Sequence, residues 1–334
     1  MLKPFLIRLA SMLVTLVGVA VVVFVLVRVA PGNPIAMMLP PGASANDIAQ
    51  LTALYGLDKS LPEQFFIWSA NVLQGDFGTS ISLRQPVADL VLQRLPATLE
   101  LSFLALLIAV LLGGATAIWG AYQRGRSGEA AVDVINGITL AIPDFLWGLL
   151  LILLFGVLWP VLQISGRVSP QIALPFVTEF YLVESVVRGR PDLLLNLLSH
   201  MLMPALALAL PLAAILSQLL KQGLKDTLEL DYTVLARVRG FTEIQVIWRE
   251  ALRNAAVPTL TLLGVQFTFL IGGTVIVERL FAYQGLGNMA IDAVINRDLP
   301  LIQGIVMTFA CLFIVINLLV DLASTLLNPR LRHG

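Results

Sequence analysis

The chain has 334 residues, 58% of them hydrophobic and 13% charged, with 21 basic against 21 acidic side chains and a mean hydropathy of +0.89. That is far more apolar surface than one soluble core of this length contains, so a soluble domain is excluded and an integral membrane protein is implied. One cysteine, Cys311, and two widely separated histidines, His200 and His333, exclude a disulfide framework and a metal site built by this chain alone.

A span needs roughly 20 apolar residues to cross about 30 Å of hydrocarbon. Six segments reach that length, at 9–30, 97–121, 132–158, 197–220, 256–277 and 302–327. Each is longer than a barrel strand and lacks period-2 alternation, so the fold class is all-α, a polytopic membrane protein with six transmembrane helices. Residues 1–30 hold the first. Lys3 and Arg8 precede its apolar run in the manner of a secretory signal, but the run is too long and Val27-Arg28-Val29-Ala30 has no small-x-small cleavage pattern, so it reads as a retained span. Pro31-Gly32-Asn33-Pro34 ends it.

Residues 31–96 then form a region outside the membrane, on the extracytoplasmic face. Within it, 62–74 sets Phe65, Phe66, Trp68, Val72 and Leu73 at helical spacings beside Glu63, Gln64 and Asn71. The pattern predicts an amphipathic helix, either lying on the membrane surface or packed as a cap on the span ends.

Residues 97–334 hold the remaining five spans. Gly113-Gly114 and Gly272-Gly273 are expected to permit close helix packing. Asp144 follows Pro143 near the middle of the third span, where a charge is costly and often marks a pathway; it either lines a water-filled path or bonds a group that Pro143 frees. A second outside segment, 159–196, reads as irregular structure with turns around Ser165-Gly166-Arg167-Val168-Ser169. Asn317 and Asp321, four apart on the last span, share a face and complete the candidate pathway residues, although a structural role for Asp321, partnered by a neighbouring helix or the cytoplasmic interface, is the favoured reading.

Between the fourth and fifth spans lies a polar loop, 222–255, in which Tyr232–Ala236 and Glu243–Leu252 have helical spacing on either side of Gly240. Such a helix-turn-helix fits a groove on a soluble partner; a solvated basic loop binding anionic lipid accounts for Arg237, Arg239, Arg249 and Arg253 but not for the glycine, Asn254 and Pro258. With the N-terminus inside, Arg124 and Arg126 in a short loop, Lys221, Lys225 and these arginines all fall on the cytoplasmic face, so both termini are expected there.

Chemistry-bearing motifs are missing. The sequence has no Gly-x-x-x-x-Gly-Lys phosphate cradle, no His-Glu-x-x-His and no Gly-x-Ser-x-Gly elbow, so no ATPase site and no enzyme activity of its own are expected. Uphill transport would then draw on an ion gradient through Asp144 and Asp321, or on a partner that hydrolyses nucleotide.

Ala236-Arg237-x-Arg239-Gly240, with Pro258 eighteen residues after the glycine, resembles the coupling loop of ABC importer permeases. More narrowly, the chain is similar to the dipeptide/oligopeptide/nickel permease family. The supporting residues are Arg28-Val29-Ala30-Pro31-Gly32-Asn33-Pro34, Gly75-Asp76-Phe77-Gly78, Leu95-Pro96-Ala97-Thr98-Leu99-Glu100-Leu101, Phe281-Ala282-Tyr283-Gln284-Gly285-Leu286-Gly287 and Asn296-Arg297-Asp298-Leu299-Pro300. Gln284 stands where the family usually has proline, and Glu250 where it often has histidine.

The resemblance implies a type I importer permease in the bacterial inner membrane, carrying dipeptides or short oligopeptides and forming half of the translocation pathway. It implies a second permease subunit, two cytoplasmic ATP-binding subunits that use ATP and magnesium, and an extracytoplasmic solute-binding protein; lipid surrounds the chain, no cofactor is bound by it, and no nucleic acid is involved. Tyr232, Ala236, Arg237, Arg239, Gly240, Glu250, Arg253, Asn254 and Pro258 would form the coupling loop. The alternatives are the same role for a nickel chelate, glutathione or another small solute, an ion-coupled secondary transporter, and a scaffold subunit that moves no solute.

Overall fold

The computed structural model describes residues 2–29, 58–172 and 176–327. All six predicted spans fall on helices there. They are α1, Leu2–Val29; α3, Val87–Tyr122; the pair α4, Ser127–Ala141, and α5, Asp144–Leu151, which runs on as a π-helix over Ile152–Leu158; α7, Pro191–Leu228; α10, Leu252–Leu280; and α12, Leu299–Leu327. Shorter helices lie between them: α2, Leu61–Leu73; α6, Tyr181–Val187; α8, Asp231–Val238; α9, Glu243–Val246; and α11, Leu286–Ile295. Among the described residues there is no strand, only an isolated bridge between Thr79 and Pro86.

Four of the helices are long and apolar enough to cross a bilayer, and α4 with α5 are so only taken together, as a bent pair. The apolar part of α1, Ala10–Leu26, is shorter than these. The six predicted crossings therefore appear as four uninterrupted helices, one broken one and one short one.

The expectation of a single span over 132–158 needs correction. Its two halves meet at 98°. Pro143 has no N–H to continue the ladder and pushes Ile142 out of the helical region, to φ −98° and ψ 120°, with Pro143 itself extended. The segment 159–196, expected outside, is also more ordered than a run of turns, since it contains α6 and the start of α7. The polar loop starts later than predicted, because residues 222–228 belong to α7.

The chain divides into two compact units, Met1–Leu95 with Met289–Ile314, and Pro96–Asn288 with Val315–Gly334. In the first, α2 packs on the end of α1. Phe24 meets Phe65 edge-on at 5.3 Å and Trp68 at 5.8 Å, while the Arg28 Nε donates to the Gln64 Oε1 at 2.8 Å. The helix predicted at 62–74 thus caps a span end.

In the second unit α7 is the centre. Some 61% of its most apolar stretch is buried, against 33% for α3, and it packs against α4, α5 and α10. Along α3, small residues recur every fourth position: Ala97, Ala105, Ala109, Gly113, Ala117 and Ala121, with Leu101 in the same row. This i+4 row lets α3 lie close on α7. At Gly113 the approach is closest, since a Cβ there would stand 2.6 Å from the Ala213 carbonyl oxygen. Gly114, Gly272 and Gly273 have nothing within 4 Å of such a Cβ, so the close packing expected of them is not made among the described residues.

Candidate functional site

The polar loop is built outward from the end of α7. Thr233 anchors it: its hydroxyl donates to the Leu230 carbonyl at 2.7 Å and lies 3.0 Å from that of Leu228. Ala236, one helical turn on, is buried against Leu220, Leu224, Leu228, Val246, Ile247 and Ala251. The chain then reverses at Gly240, whose φ of +88° an L side chain adopts only at a cost. Past the turn, Thr242 and Gln245 form a capping box that starts α9, and a π turn over Ile247–Ala251 leads into α10.

Two side-chain contacts close this hairpin of helices. Arg237 makes two parallel bonds of 2.9 Å to the Glu243 carboxylate and a third, of 3.0 Å, to the Leu228 carbonyl. Asn254 donates to the Tyr232 hydroxyl oxygen at 2.7 Å. The Arg237 bond holds the Glu243 carboxyl below the usual carboxylate range, and Glu243 in turn raises the guanidinium. Arg237, Tyr232 and Asn254 therefore shape the loop from within.

What the loop shows to solvent is a mixed apolar and basic face. Val234, Leu235, Val238 at 78% exposure, Ile244 and Trp248 are exposed beside Arg239, Arg249 and Arg253. Gly240 is exposed and Glu250 half-buried; Pro258 lies inside α10, beyond the loop. An exposed apolar cluster rimmed by arginines is the composition of a protein-docking surface.

The other sequence candidates are scattered. Asp144 is half-buried at the first turn of α5, and its Oδ1 accepts the Phe145 N–H at 2.7 Å, a group freed by the Pro143 break. Asn317 is half-buried on α12, and the Asp321 side chain lies outside the described residues.

The structure adds buried polar sites that spacing did not reveal. Glu278, fully buried on α10, accepts the Thr98 hydroxyl at 2.7 Å and the Asn288 N–H at 2.9 Å, while the same Thr98 oxygen accepts the Leu286 N–H at 2.8 Å. The chain wraps this carboxylate so tightly that a Cβ on Gly285 would come within 2.4 Å of it, which is why a glycine occupies that place in Tyr283-Gln284-Gly285-Leu286-Gly287. Glu100 on α3 is paired with Arg167 at 2.9 Å, both side chains 4% exposed, and also accepts the N–H groups of Leu182 and Val183. Arg167 lies over the Tyr181 ring at 3.8 Å, so the pair fastens the 159–190 segment to α3. Within the first unit, Asp298 accepts the hydroxyls of Ser80 and Ser82 at 2.6 and 2.7 Å. Only the fixed order Gly-Leu-Gly and Asn-Arg-Asp hinted at these in sequence.

Among the described residues no group of three or more histidine, cysteine, aspartate or glutamate side chains is placed to hold a metal.

Residues 105–333 match the profile of the family described as the binding-protein-dependent transport system inner membrane component, and residues 1–102 match that of the N-terminal part of such membrane components. The chain is 34% identical over 337 residues to the dipeptide transport system permease protein DppB of Escherichia coli (strain K12), covering 100% of this chain and 99% of that protein. It is 33% identical over 331 residues to the di/tripeptide transport system permease protein DppB of Pseudomonas aeruginosa (strain UCBPP-PA14), covering 98% and 97%. It is also 35% identical over 334 residues to the glutathione transport system permease protein GsiC of Salmonella choleraesuis (strain SC-B67), covering 100% of both.

Proposed function

Since the chain belongs to the family of inner membrane components of binding-protein-dependent transport systems, we propose that it is a permease subunit of an ATP-driven importer of dipeptides or short oligopeptides. It is a multi-pass membrane protein of an ABC transporter. In this reading it pairs with a second permease, is served by an extracytoplasmic solute-binding protein, and docks one of two cytoplasmic ATPases, which bind the ATP and magnesium. Residues 31–96 lie outside, and both termini lie in the cytoplasm.

The observation that carries the docking assignment is the exposed face of Val234, Leu235, Val238, Ile244 and Trp248 on a loop that Arg237 holds in shape from within. An apolar face on a braced helix pair is presented to a groove without a further ordering cost. ATP-driven closure of the ATPases would move this loop and alternate access of the pathway between the two faces. Asp144, Asn317 and Asp321 remain its candidate lining.

Two substrates are favoured by the relatives. Peptide permeases and a glutathione permease match the chain at nearly equal identity, and both are peptides bearing a free amine and carboxylate. The deciding experiment is uptake into proteoliposomes of the complete importer, with tritium-labelled Ala-Ala against labelled glutathione, with and without ATP and with a protonophore. ATP-dependent, protonophore-insensitive uptake of Ala-Ala is expected. Uptake driven by a proton gradient without ATP would overturn the reading.

A further inference from the structure

Helices α4 and α7 are joined by a polar ladder. The Lys225 ammonium pairs with Glu129, the Lys221 ammonium with Asp133, and the Asn136 amide donates to the Ser217 hydroxyl oxygen at 3.0 Å. The Thr116 hydroxyl of α3 stands 3.0 Å from the same oxygen. On α7 the three positions are four apart; on α4 they are three and four apart, so each set lies on one helix face. The numbers rise on one helix as they fall on the other, as antiparallel rungs must.

Along α7 burial deepens from Lys225 to Lys221 to Ser217, whereas on α4 the middle acid is the most exposed. Glu129 and Lys225 are 15% and 27% exposed, Lys221 is 7% exposed against a half-exposed Asp133, and Asn136 and Ser217 are buried. Alpha3 leaves room for the Lys221 stem through Gly120, where a Cβ would come within 2.9 Å of the Lys221 Cδ. Apolar helix faces shear past one another at little cost. Here a slip of one turn, about 5.4 Å, in either direction would leave one of the two ion pairs without a partner and break the buried bond between Asn136 and Ser217.

Both ends of the ladder lead somewhere. Beyond Lys225, α7 ends at Leu228, whose carbonyl holds Arg237 of the loop, and its next residue, Glu229, pairs with Arg124 just before α4. At its other end α4 stops at Ile142 and Pro143, the 98° break.

We propose that the ladder makes α4 and α7 one lever that carries displacement of the 229–254 loop to the Ile142–Pro143 bend, with Lys221 as its central positioning residue. This rests on the reading of the loop as the ATPase-docking segment. The lever acts on the bend because the ladder forbids shear between the two helices, leaving the hinge as the place where motion is released.

The test uses the complete importer in proteoliposomes and the ratio of ATP hydrolysed to solute taken up, with Ala-Ala or glutathione, whichever the parental complex transports. Asp133→Asn and Lys221→Met should leave ATPase copurification and hydrolysis in place while the ratio rises about fivefold or more, the low end of an allosteric coupling. The exchange Lys221→Asp with Asp133→Lys should restore it. An unchanged ratio in an assembled Asp133→Asn complex overturns the proposal, as does a swap that fails to restore what both single variants lose. If Lys221→Met does not assemble, Asp133→Asn alone decides, since its side chain is half exposed. Loss of the bound ATPase in Gly240 variants reports on docking separately: if they retain it, the docking reading fails whatever the ladder does.

Discussion

Arg237 grips Glu243 across the Gly240 turn through two bonds of 2.9 Å, so this arginine braces the loop and is not offered to a partner. Arg239 and Arg253, by contrast, face solvent. Reversal of Arg237 to glutamate should therefore disturb docking through the loop's shape, and Glu243→Arg in the same chain should recover much of the loss. Arg239→Glu should weaken ATPase copurification with no rescue from Glu243→Arg. Gly240→Val places a β-branched residue at φ +88° and adds roughly 1–2 kcal/mol of local strain; Gly240→Asn should be milder. Copurification and insertion assays on the series check this, and equal behaviour of the two arginines would refute the division of labour.

The proposed orientation sets three surface positions apart. In a Cys311→Ser background, Gln85→Cys and Val177→Cys, both exposed, should react with an impermeant maleimide from the periplasm, and exposed Ser127→Cys should not. Ser80 and Ser185 are poor probes on the same segments because both are buried. Labelling of Ser127→Cys from outside intact cells would invert the topology.

Glu184 caps the turn before its own helix. It accepts the Thr178 hydroxyl at 2.6 Å and the N–H groups of Thr178 and Val177 at 2.9 and 3.0 Å, and these bonds, the Thr178 hydroxyl first, hold its carboxyl down to about 2. A carboxylate whose folded value is depressed stabilises fully above its ordinary value of 4.5, and loses that contribution as pH falls from there toward about 2. Hydrogen exchange of 177–188 should thus stay protected at neutral pH and loosen below 4.5, once corrected for intrinsic rates. Glu184→Gln should show the loosened pattern at neutral pH. A pH-independent pattern in the parent would show that the cap does not order the turn.

Glu100 and Arg167 form a pair whose side chains are both 4% exposed. Removing one charge leaves the other buried and unpaired, which costs about 3–5 kcal/mol. Glu100→Gln and Arg167→Met should each lower the thermal midpoint of the purified protein sharply, and the double variant should be less damaged than the sum of the two. Additive losses would mean that the pair is not coupled.

How much of this could be read from sequence depended on range. Helix class and the six apolar segments were legible because a bilayer demands long apolar runs, and the loop was legible because Gly240 and helical spacing are local. The 98° break was not, since a proline inside a long apolar run is compatible with an unbroken span; only the geometry of Ile142 decides it. Glu100 with Arg167, and Thr98 with Glu278, are 67 and 180 residues apart, and nothing in the residues themselves says which acid meets which donor. The Lys221 and Asp133 rung was hidden for the same reason, although the spacing of Ser217, Lys221 and Lys225 marks one face of α7. Asp144 stood out in sequence as a charge inside an apolar run, but its hydrogen bond to Phe145 is a consequence of the break, visible only with it.

The row of small residues on α3 has a consequence for how this chain tolerates change in length. Each residue of a helix turns the remainder by about 100°, so a single deletion between Ala105 and Ala117 would swing Ala117 and Ala121 off α7 and bring larger side chains such as Trp119 and Tyr122 toward it. Substitutions can be accommodated one at a time along that seam. A lost or gained codon cannot, because it changes the phase of everything after it: α3 meets α7 as a screw thread meets its nut, and its turns must keep count.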